Sequence, residues 1–389
     1  MPNIPVENCC GCTACFNICP RSAITMQPDE EGFVYPLVDL KHCISCGLCE
    51  KCCPVLNPPQ LSESYAGSYV IQHNDPEVLE TSTSGGFVDA LYRYILEEQQ
   101  GYAVGVAYNG EFLPAHILTD SYTFAKRFRG SKYAQSDLGT IFREISEQLS
   151  CRKPVVFVGT PCQVAGLHCF LGKEYDELVT VDIVCRSVPS PKFWKMYLDW
   201  QEKRYGQKIE SVSCRKKTYG YHSGTLEIRF SAGEAYHGSN RVDYFMKSFH
   251  GDICSRPSCY QCSFKTKHRC SDFTVFDSWN PQQVSDGMMI DDDRGFSNVL
   301  VHTEKGKLFL KKLENVSVYN ADPEQMFVFT GGMEIRSITR KEERKTFYKD
   351  LDAHGFEKAV RRYINVSKTD RIIEWLKPFR YYLKKKIGI

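Results

Sequence analysis

Apolar residues in the middle of the chain recur with two periods. Phe87, Ala90, Leu91, Tyr94 and Ile95 share one helical face, and Leu138, Ile141, Phe142, Ile145 and Leu149 share another. Short apolar runs at 102–108, 154–158 and 178–184 read as strands, and Ser190-Pro191 opens a helix that the pattern carries to residue 205. This alternation predicts an α/β layer. From about residue 207 the segments 211–215, 225–230 and 273–276 read as strands, with helical stretches near Tyr244 and Lys305. The second half is therefore expected to be α+β. Residues 1 to about 56 follow neither period, and Asn57-Pro58-Pro59 closes that segment.

Cysteine explains the first segment. Cys9-x2-Cys12-x2-Cys15-x3-Cys19-Pro20 is repeated as Cys43-x2-Cys46-x2-Cys49-x3-Cys53-Pro54, joined by a link over residues 32–39. The spacing is that of two-cluster bacterial ferredoxins, in which the fourth cysteine of each run reaches the other cluster. Cys9, Cys12, Cys15 and Cys53 are thus expected to hold one 4Fe-4S cluster, and Cys43, Cys46, Cys49 and Cys19 the other. Zinc sites usually take two separated pairs and do not account for a proline after each fourth cysteine. Cys10 and Cys52 fall outside the register and read as packed thiols. Apart from this duplication the chain shows no internal repeat.

A chain of 389 residues is long for one core, so two or three domains are expected. Its 19 cysteines are an odd number, and the N-terminus lacks a basic segment followed by an apolar one. Both point to a reducing cytoplasm. No apolar run reaches the roughly eighteen residues needed to span a bilayer. The net charge of +2 gives no reason to invoke nucleic acid. Residues 361–389 nevertheless hold nine Lys or Arg against two acidic residues, interleaved with Ile372, Ile373, Trp375, Leu376, Phe379, Tyr382 and Leu383. Such a tail either lies on anionic lipid or docks on the protein by its apolar face. Docking is preferred, because Pro378 interrupts the periodicity.

Four further cysteines stand at places suited to chemistry. Cys162 follows an apolar strand at a helix start, where backbone N–H groups favour a thiolate. Cys185 ends another strand, and Cys259-x2-Cys262 is a minimal clamp for a soft metal. Spacing alone leaves these open between a third cluster and buried small side chains, the reading given to Cys151, Cys169, Cys214, Cys254 and Cys270. Two small-residue loops, 81–86 and 130–136, each precede a helix and suit phosphate contact, although N-capping explains Ser84 equally well. Clusters carry single electrons whereas most organic substrates exchange two, which gives a chemical reason to expect a flavin.

Thr83-Ser-Gly-Gly86, Gly130-Ser-Lys-Tyr133, Gly159-Thr-Pro-Cys-Gln163, Cys185 with Val188-Pro-Ser-Pro191, Arg256-Pro-Ser-Cys-Tyr-Gln-Cys262 and residues 269–279 form one set. Over residues 1–305 this set resembles the beta subunits of coenzyme F420 hydrogenases and dehydrogenases. The resemblance implies a bacterial-type ferredoxin domain over 1–56 and a mixed α/β flavin-binding domain, α+β overall. The latter would comprise a FAD-binding part over 62–145 and a part over 150–320 carrying a third cluster, before a helical basic tail over 321–389. By position, Cys162, Cys185, Cys259 and Cys262 would ligate that cluster. Ser84, Gly85, Gly86, Gly130, Ser131, Lys132, Tyr133, Gln135, Ser136 and Thr160 would embrace FAD. The chain departs from the family pattern at Arg186-Ser187, where His-Gly is usual, and at Ser278 and Asn280, where Phe and Gly are usual. These changes leave the cysteines intact, and the deazaflavin coenzyme is not assigned as substrate.

The function expected is an iron–sulfur flavoprotein oxidoreductase that passes electrons between ferredoxin, or another redox protein, and an organic substrate. Asp182, Asp272, Asp277 and His222 are the acid or base residues to test; Asp272 and Asp277 have Arg256 or Arg269 as expected structural partners. The rival reading is an electron-transfer subunit with no substrate of its own, including one that serves polysaccharide biosynthesis.

Overall fold

A computed structural model describes residues 4–285, 287 and 289–387. In the first segment β1 (Ile24–Pro28) and β2 (Val34–Val38) form an antiparallel hairpin between the two cysteine runs. The main sheet begins with β3 (Gly67–His73), β4 (Tyr102–Tyr108), β5 (Pro114–Thr119), β6 (Val155–Gly159) and β7 (Leu178–Ile183). A separate antiparallel sheet follows, made by β8 (Ile209–Lys216), β9 (Thr225–Phe230) and β10 (Ala235–Gly238). The chain then returns to the main sheet with β11 (Phe273–Ser278), β12 (Phe296–Val301) and β13 (Val316–Asn320).

The main sheet has eight strands in the order β13-β3-β12-β11-β7-β6-β4-β5. β4, β6, β7 and β11 run parallel, and antiparallel strands complete both sides. Val155, Val156, Phe157, Val179, Val181 and Phe273 are fully enclosed, as expected of strands covered on both faces. The parts expected over 62–145 and 150–320 therefore share one sheet, and only β8 to β10 stand apart from it. Local periodicity cannot reveal this, because β3 and β12 are neighbours only through a connection of more than two hundred residues.

The helix Pro191–Tyr205 shows why the second core forms. Ser190 caps it by accepting from the Phe193 N–H, Pro191 occupies its first turn, and Gly206 ends it at φ 65°. Its buried face supplies Phe193, Trp194, Tyr197 and Leu198 to a cluster with Phe230, Phe245, Phe347 and Phe356. Trp194 meets Phe245 edge-on at 4.6 Å between ring centroids, an arrangement that adds to area burial. Phe33 and Tyr35 of the hairpin enter this same core. Cys12, Ala14 and Cys52 enter a different one, with Phe142, Phe157 and Leu167. The cysteine-rich segment is thus integrated with the body on two sides.

Residues beyond 320 do not form one tail. Helix Arg344–Tyr363, bent at Gly355 (φ 77°), contributes Phe347, Leu351, Phe356 and Val360 to the aromatic core. Two further helices, Lys368–Trp375 and Lys377–Ile387, meet next to Pro378. Their apolar side chains face solvent, contrary to the docked orientation preferred from the sequence. Among the described residues no helix is long and apolar enough to cross a membrane.

Candidate electron-transfer site

The two cysteine runs occupy different depths. Cys43 and Cys46 are exposed, whereas Cys12 and Cys53 are buried and Cys9, Cys15 and Cys19 are half-buried. Withdrawal from water pushes the Cys15 thiol up, and neighbouring Cys9, Cys52 and Cys53 add to the shift. Cys53 therefore lies beside the first run rather than among its sequence neighbours Cys43 and Cys46.

One buried arginine fastens the first run to the body. Arg256 donates Nε to the Cys9 carbonyl at 2.8 Å, Nη2 to the Val34 carbonyl at 3.0 Å and Nη1 to Gln135 Oε1 at 2.9 Å. Its guanidinium lies 4.3 Å from the Tyr35 ring centroid. Gln135 Nε2 donates to the Cys10 carbonyl at 3.2 Å. Gly11 is needed beneath them: its φ is +70°, and a Cβ there would lie 2.8 Å from Gln135 Nε2 and 3.0 Å from Arg256 Cζ. On the other side Arg143 donates to the carbonyls of Asn17 at 2.7 Å and Phe16 at 2.9 Å.

Cys162, Cys185, Cys259 and Cys262 line one cavity, together with Cys10, Arg256, Lys265 and Arg269. Three connections bring them there. Cys162 sits in the first turn of helix Pro161–Leu171, whose start is fixed by a reciprocal Thr160–Gln163 capping box. Cys185 follows β7, and Cys259 lies in the turn Pro257–Gln261 directly before Cys262. Enclosure by protein pushes the Cys259 thiol up to about 12 and also raises Cys185, while Lys265 opposes the shift at Cys185 and Arg256 at Cys259. Four thiols are costly to ionise alone, yet three cations border them. That donor set fits an anionic iron–sulfur cluster better than free thiolates. Among the described residues no three His, Cys, Asp or Glu side chains converge to hold a single metal ion.

Cys10 links the two thiol groups. Read from its spacing as a packed thiol, it stands within hydrogen-bonding reach of both Cys12 and Cys162. The same contact, ahead of burial, raises the Cys162 thiol.

Cys185 and Arg186 also border a larger groove of about 380 Å³, within the range of small-molecule and cofactor sites. It opens beyond the carboxyl ends of β6, β7 and β11, where ligands of parallel sheets usually bind. Ser84, Gly86, Gly130, Ser131, Lys132, Tyr133, Ser136 and Thr160 line it, over apolar walls that include Phe87, Val158 and Phe276. The two small-residue loops are tied together: Ser131 N donates to Thr83 Oγ1 at 2.7 Å, and the two hydroxyls lie 2.9 Å apart. Gly130, at φ +80°, leaves open a space that a Cβ would occupy. At the far end Arg215 pairs with Asp277 at 2.6 Å, the Tyr221 hydroxyl donates to Asp277 at 3.0 Å, and Trp279 stacks on Tyr221 at 4.8 Å. This apolar slot with glycine and hydroxyl loops suits a flavin dinucleotide.

Residues 152–325 match the family profile for the C-terminal region of the coenzyme F420 hydrogenase/dehydrogenase beta subunit, and residues 8–57 match that of the 4Fe-4S dicluster domain. The chain belongs to the F420 hydrogenase/dehydrogenase beta-subunit family, with an N-terminal ferredoxin domain. It is 20% identical to a subunit of the F420H2 dehydrogenase of Methanosarcina mazei over 367 residues, covering 91% of this chain and 95% of that one. An uncharacterised ferredoxin of Methanocaldococcus jannaschii is 35% identical over 48 residues, 12% of this chain and 61% of the ferredoxin. One component of the F420-reducing NiFe hydrogenase complex from Methanosarcina barkeri superposes with a TM-score of 0.48 at 16% identity, covering 74% of this chain and 93% of that one.

Within this beta-subunit-family chain, several residues expected at a flavin are engaged elsewhere. Gly85 lies outside the groove and packs at the β3–β12 junction, where a Cβ would stand 2.2 Å from the Ile71 carbonyl. Gln135 is likewise outside it, holding Arg256 and Cys10. Lys132 does border the groove, but its ammonium donates to the carbonyls of Arg127, Phe128, Arg129 and Gly130 at 3.0–3.2 Å, and desolvation lowers its pKa to about 8. It braces the loop from within. Asp182 accepts from Ser271 at 2.6 Å and Thr274 at 3.1 Å, and Asp272 accepts from Thr180 and Thr303. Both belong to a buried network in the sheet. Lys305 rather than an arginine approaches Asp272, at 3.4 Å, and Asp277 pairs with Arg215, so neither aspartate has the partner expected. His222 pairs with Asp291 at 2.7 Å outside the groove. Only Asp277 of the four borders it. Sequence reasoning missed Arg215 and His250; the signal for Trp279 was its place just past β11. Cys214 and Cys254 are buried as expected, whereas Cys151 is exposed.

Proposed function

We propose that the chain is an iron–sulfur flavoprotein oxidoreductase that passes electrons between a redox protein and an organic two-electron carrier. The observation that carries this reading is that Cys185 borders both the four-cysteine cavity and the groove. Cys43, Cys46, Cys49 and Cys19 would hold a cluster near the surface, and Cys9, Cys12, Cys15 and Cys53 an inner one. Cys162, Cys185, Cys259 and Cys262 would hold a third, with FAD bordered by Ser84, Gly86, Gly130, Ser131, Tyr133, Ser136 and Thr160. Clusters of this kind exchange single electrons and a flavin exchanges one or two.

The chain's own residues give such a path a direction. The exposed Cys43–Cys46 surface admits a protein partner, Arg256 and Gln135 fix the inner run against the body, and Cys10 closes the gap to Cys162. In the groove, Thr83 and Ser131 hold the two loops shut on one side. Arg186 and Arg215 supply positive charge toward an anionic carrier. The names of the relatives make a reduced deazaflavin the first carrier to test. The rival, an electron-transfer subunit without its own substrate, shares the clusters but not a carrier that enters the groove.

Anaerobic reconstitution followed by iron and flavin analysis tests the reading. About twelve irons and one FAD per chain are expected. About eight irons and no flavin would remove both the third cluster and the flavin from the account. Flavin bleaching by a small-molecule donor separates the enzyme from the electron-transfer rival.

A further inference from the structure

The two C-terminal helices are attached by the wrong face for a helix that merely completes a fold. Asp370 faces Lys247 at 3.5 Å, Glu374 accepts from Ser239 N at 3.0 Å, and the Tyr381 ring meets the Tyr219 ring edge-on at 6.0 Å. Lys377 stands 5.7 Å from the same Tyr219 ring. Positions 370, 374, 377 and 381 recur at helical intervals, so this stripe is the one turned to the body. The apolar stripe points away: Ile372 is 58% exposed, Trp375 79%, Phe379 60% and Tyr382 59%. An amphipathic surface helix ordinarily buries its apolar stripe. Here the stripe is offered outward.

Charge identifies what would cover it. After Glu374 the sequence contains Lys377, Arg380, Lys384, Lys385 and Lys386 and no acidic residue. Two copies meeting through this surface would bring like charges together. A bilayer with anionic headgroups meets both demands, since aromatic side chains favour the headgroup boundary and lysine and arginine meet lipid phosphate. We propose that helices 368–375 and 377–387 form a docking surface for an anionic lipid bilayer, which would hold the redox groups beside a membrane without a spanning helix.

The test is flotation of the full-length protein with vesicles of phosphatidylcholine alone and of phosphatidylcholine containing about one-third phosphatidylglycerol. The chain should float with the anionic vesicles only. Trp375→Ala/Phe379→Ala and, separately, Arg380→Gln/Lys386→Gln should each weaken binding about tenfold, and raised salt should weaken it further. All four side chains are exposed, so these variants leave the fold intact. Wild-type protein that stays unbound at millimolar anionic lipid would overturn the proposal, as would an aromatic double variant that binds like wild type. So would a concentration-dependent dimer, or a co-purifying protein, that the aromatic substitutions abolish while vesicle binding is absent.

Discussion

Residues 9–19 and residues 43–53 carry one cysteine spacing in two environments. The first run lies under helix Pro161–Leu171 and is held by Arg256, Gln135 and Arg143, with Cys12 buried; in the second run Cys43 and Cys46 face solvent. The contacts that separate them come from the body, between 122 and 247 residues away along the chain. A duplicated motif thereby becomes an outer and an inner station. Its polarity is set by what docks against it, and the inner end is the one that reaches Cys10 and Cys162.

Removing the main fastening should have the largest effect. Arg256→Ala leaves the Cys9 and Val34 carbonyls without their donor in a closed interior and should cost about 3–5 kcal/mol. Earlier thermal unfolding and protease cleavage near residues 57–62 would report it; a variant as stable as wild type would undo the contrast between the two runs. Acid should act next, on the body. His116 and His302 are buried, and desolvation lowers their pKa from 6.5 to about 4 and about 3. Below pH 6.5 the unfolded chain takes up protons that the folded chain refuses, so stability should fall as pH drops from about 6.5 to 4. His116 alone contributes roughly 3 kcal/mol of that loss. His116→Gln should flatten the pH profile of thermal unfolding over this window, and an unchanged slope would count against it.

A smaller change probes the packing of the inner run directly. At Gly166 a Cβ would lie 2.8 Å from Cys12 Cβ and 3.0 Å from its sulfur. Gly166→Ala should cost about 1–3 kcal/mol and alter the electron paramagnetic resonance signal of the inner cluster while leaving the outer one unchanged. Equal disturbance of both signals would show that the two runs move as one. The smallest effect is expected beside the outer run. The exposed His42–Asp39 pair, 2.6 Å apart, should contribute little or nothing measurable, checked by thermal unfolding of His42→Ala.

What could be read in advance followed the range of each signal. The ferredoxin register, the strand 102–108 and the Ser190-capped helix are local, and the structure contains strand β4 and helix Pro191–Tyr205 at those places. The meeting of Cys162, Cys185 and Cys259 is not local: it depends on β6 and β7 being neighbours and on a turn about seventy residues beyond Cys185, so only the family resemblance points to it. Lys132 and Gln135 mislead because residue type and loop position suggest a ligand, whereas their partners are set by carbonyls and by Arg256 that only the folded chain supplies. Arg215 and His250 sit in no recognisable motif. For the C-terminal helices, periodicity marks the apolar stripe correctly but cannot say which stripe the body takes.

Whether the four-cysteine cavity stands on the path to a flavin is decided by stopped-flow bleaching of the bound flavin with reduced ferredoxin, comparing wild type with Cys259→Ser after iron analysis of both. Rapid bleaching is expected in wild type. The variant should lose about four irons and retain its flavin, with bleaching by ferredoxin slowed at least about a hundredfold while dithionite still reduces the flavin. An unchanged iron content, or ferredoxin-driven bleaching at the wild-type rate, would contradict this.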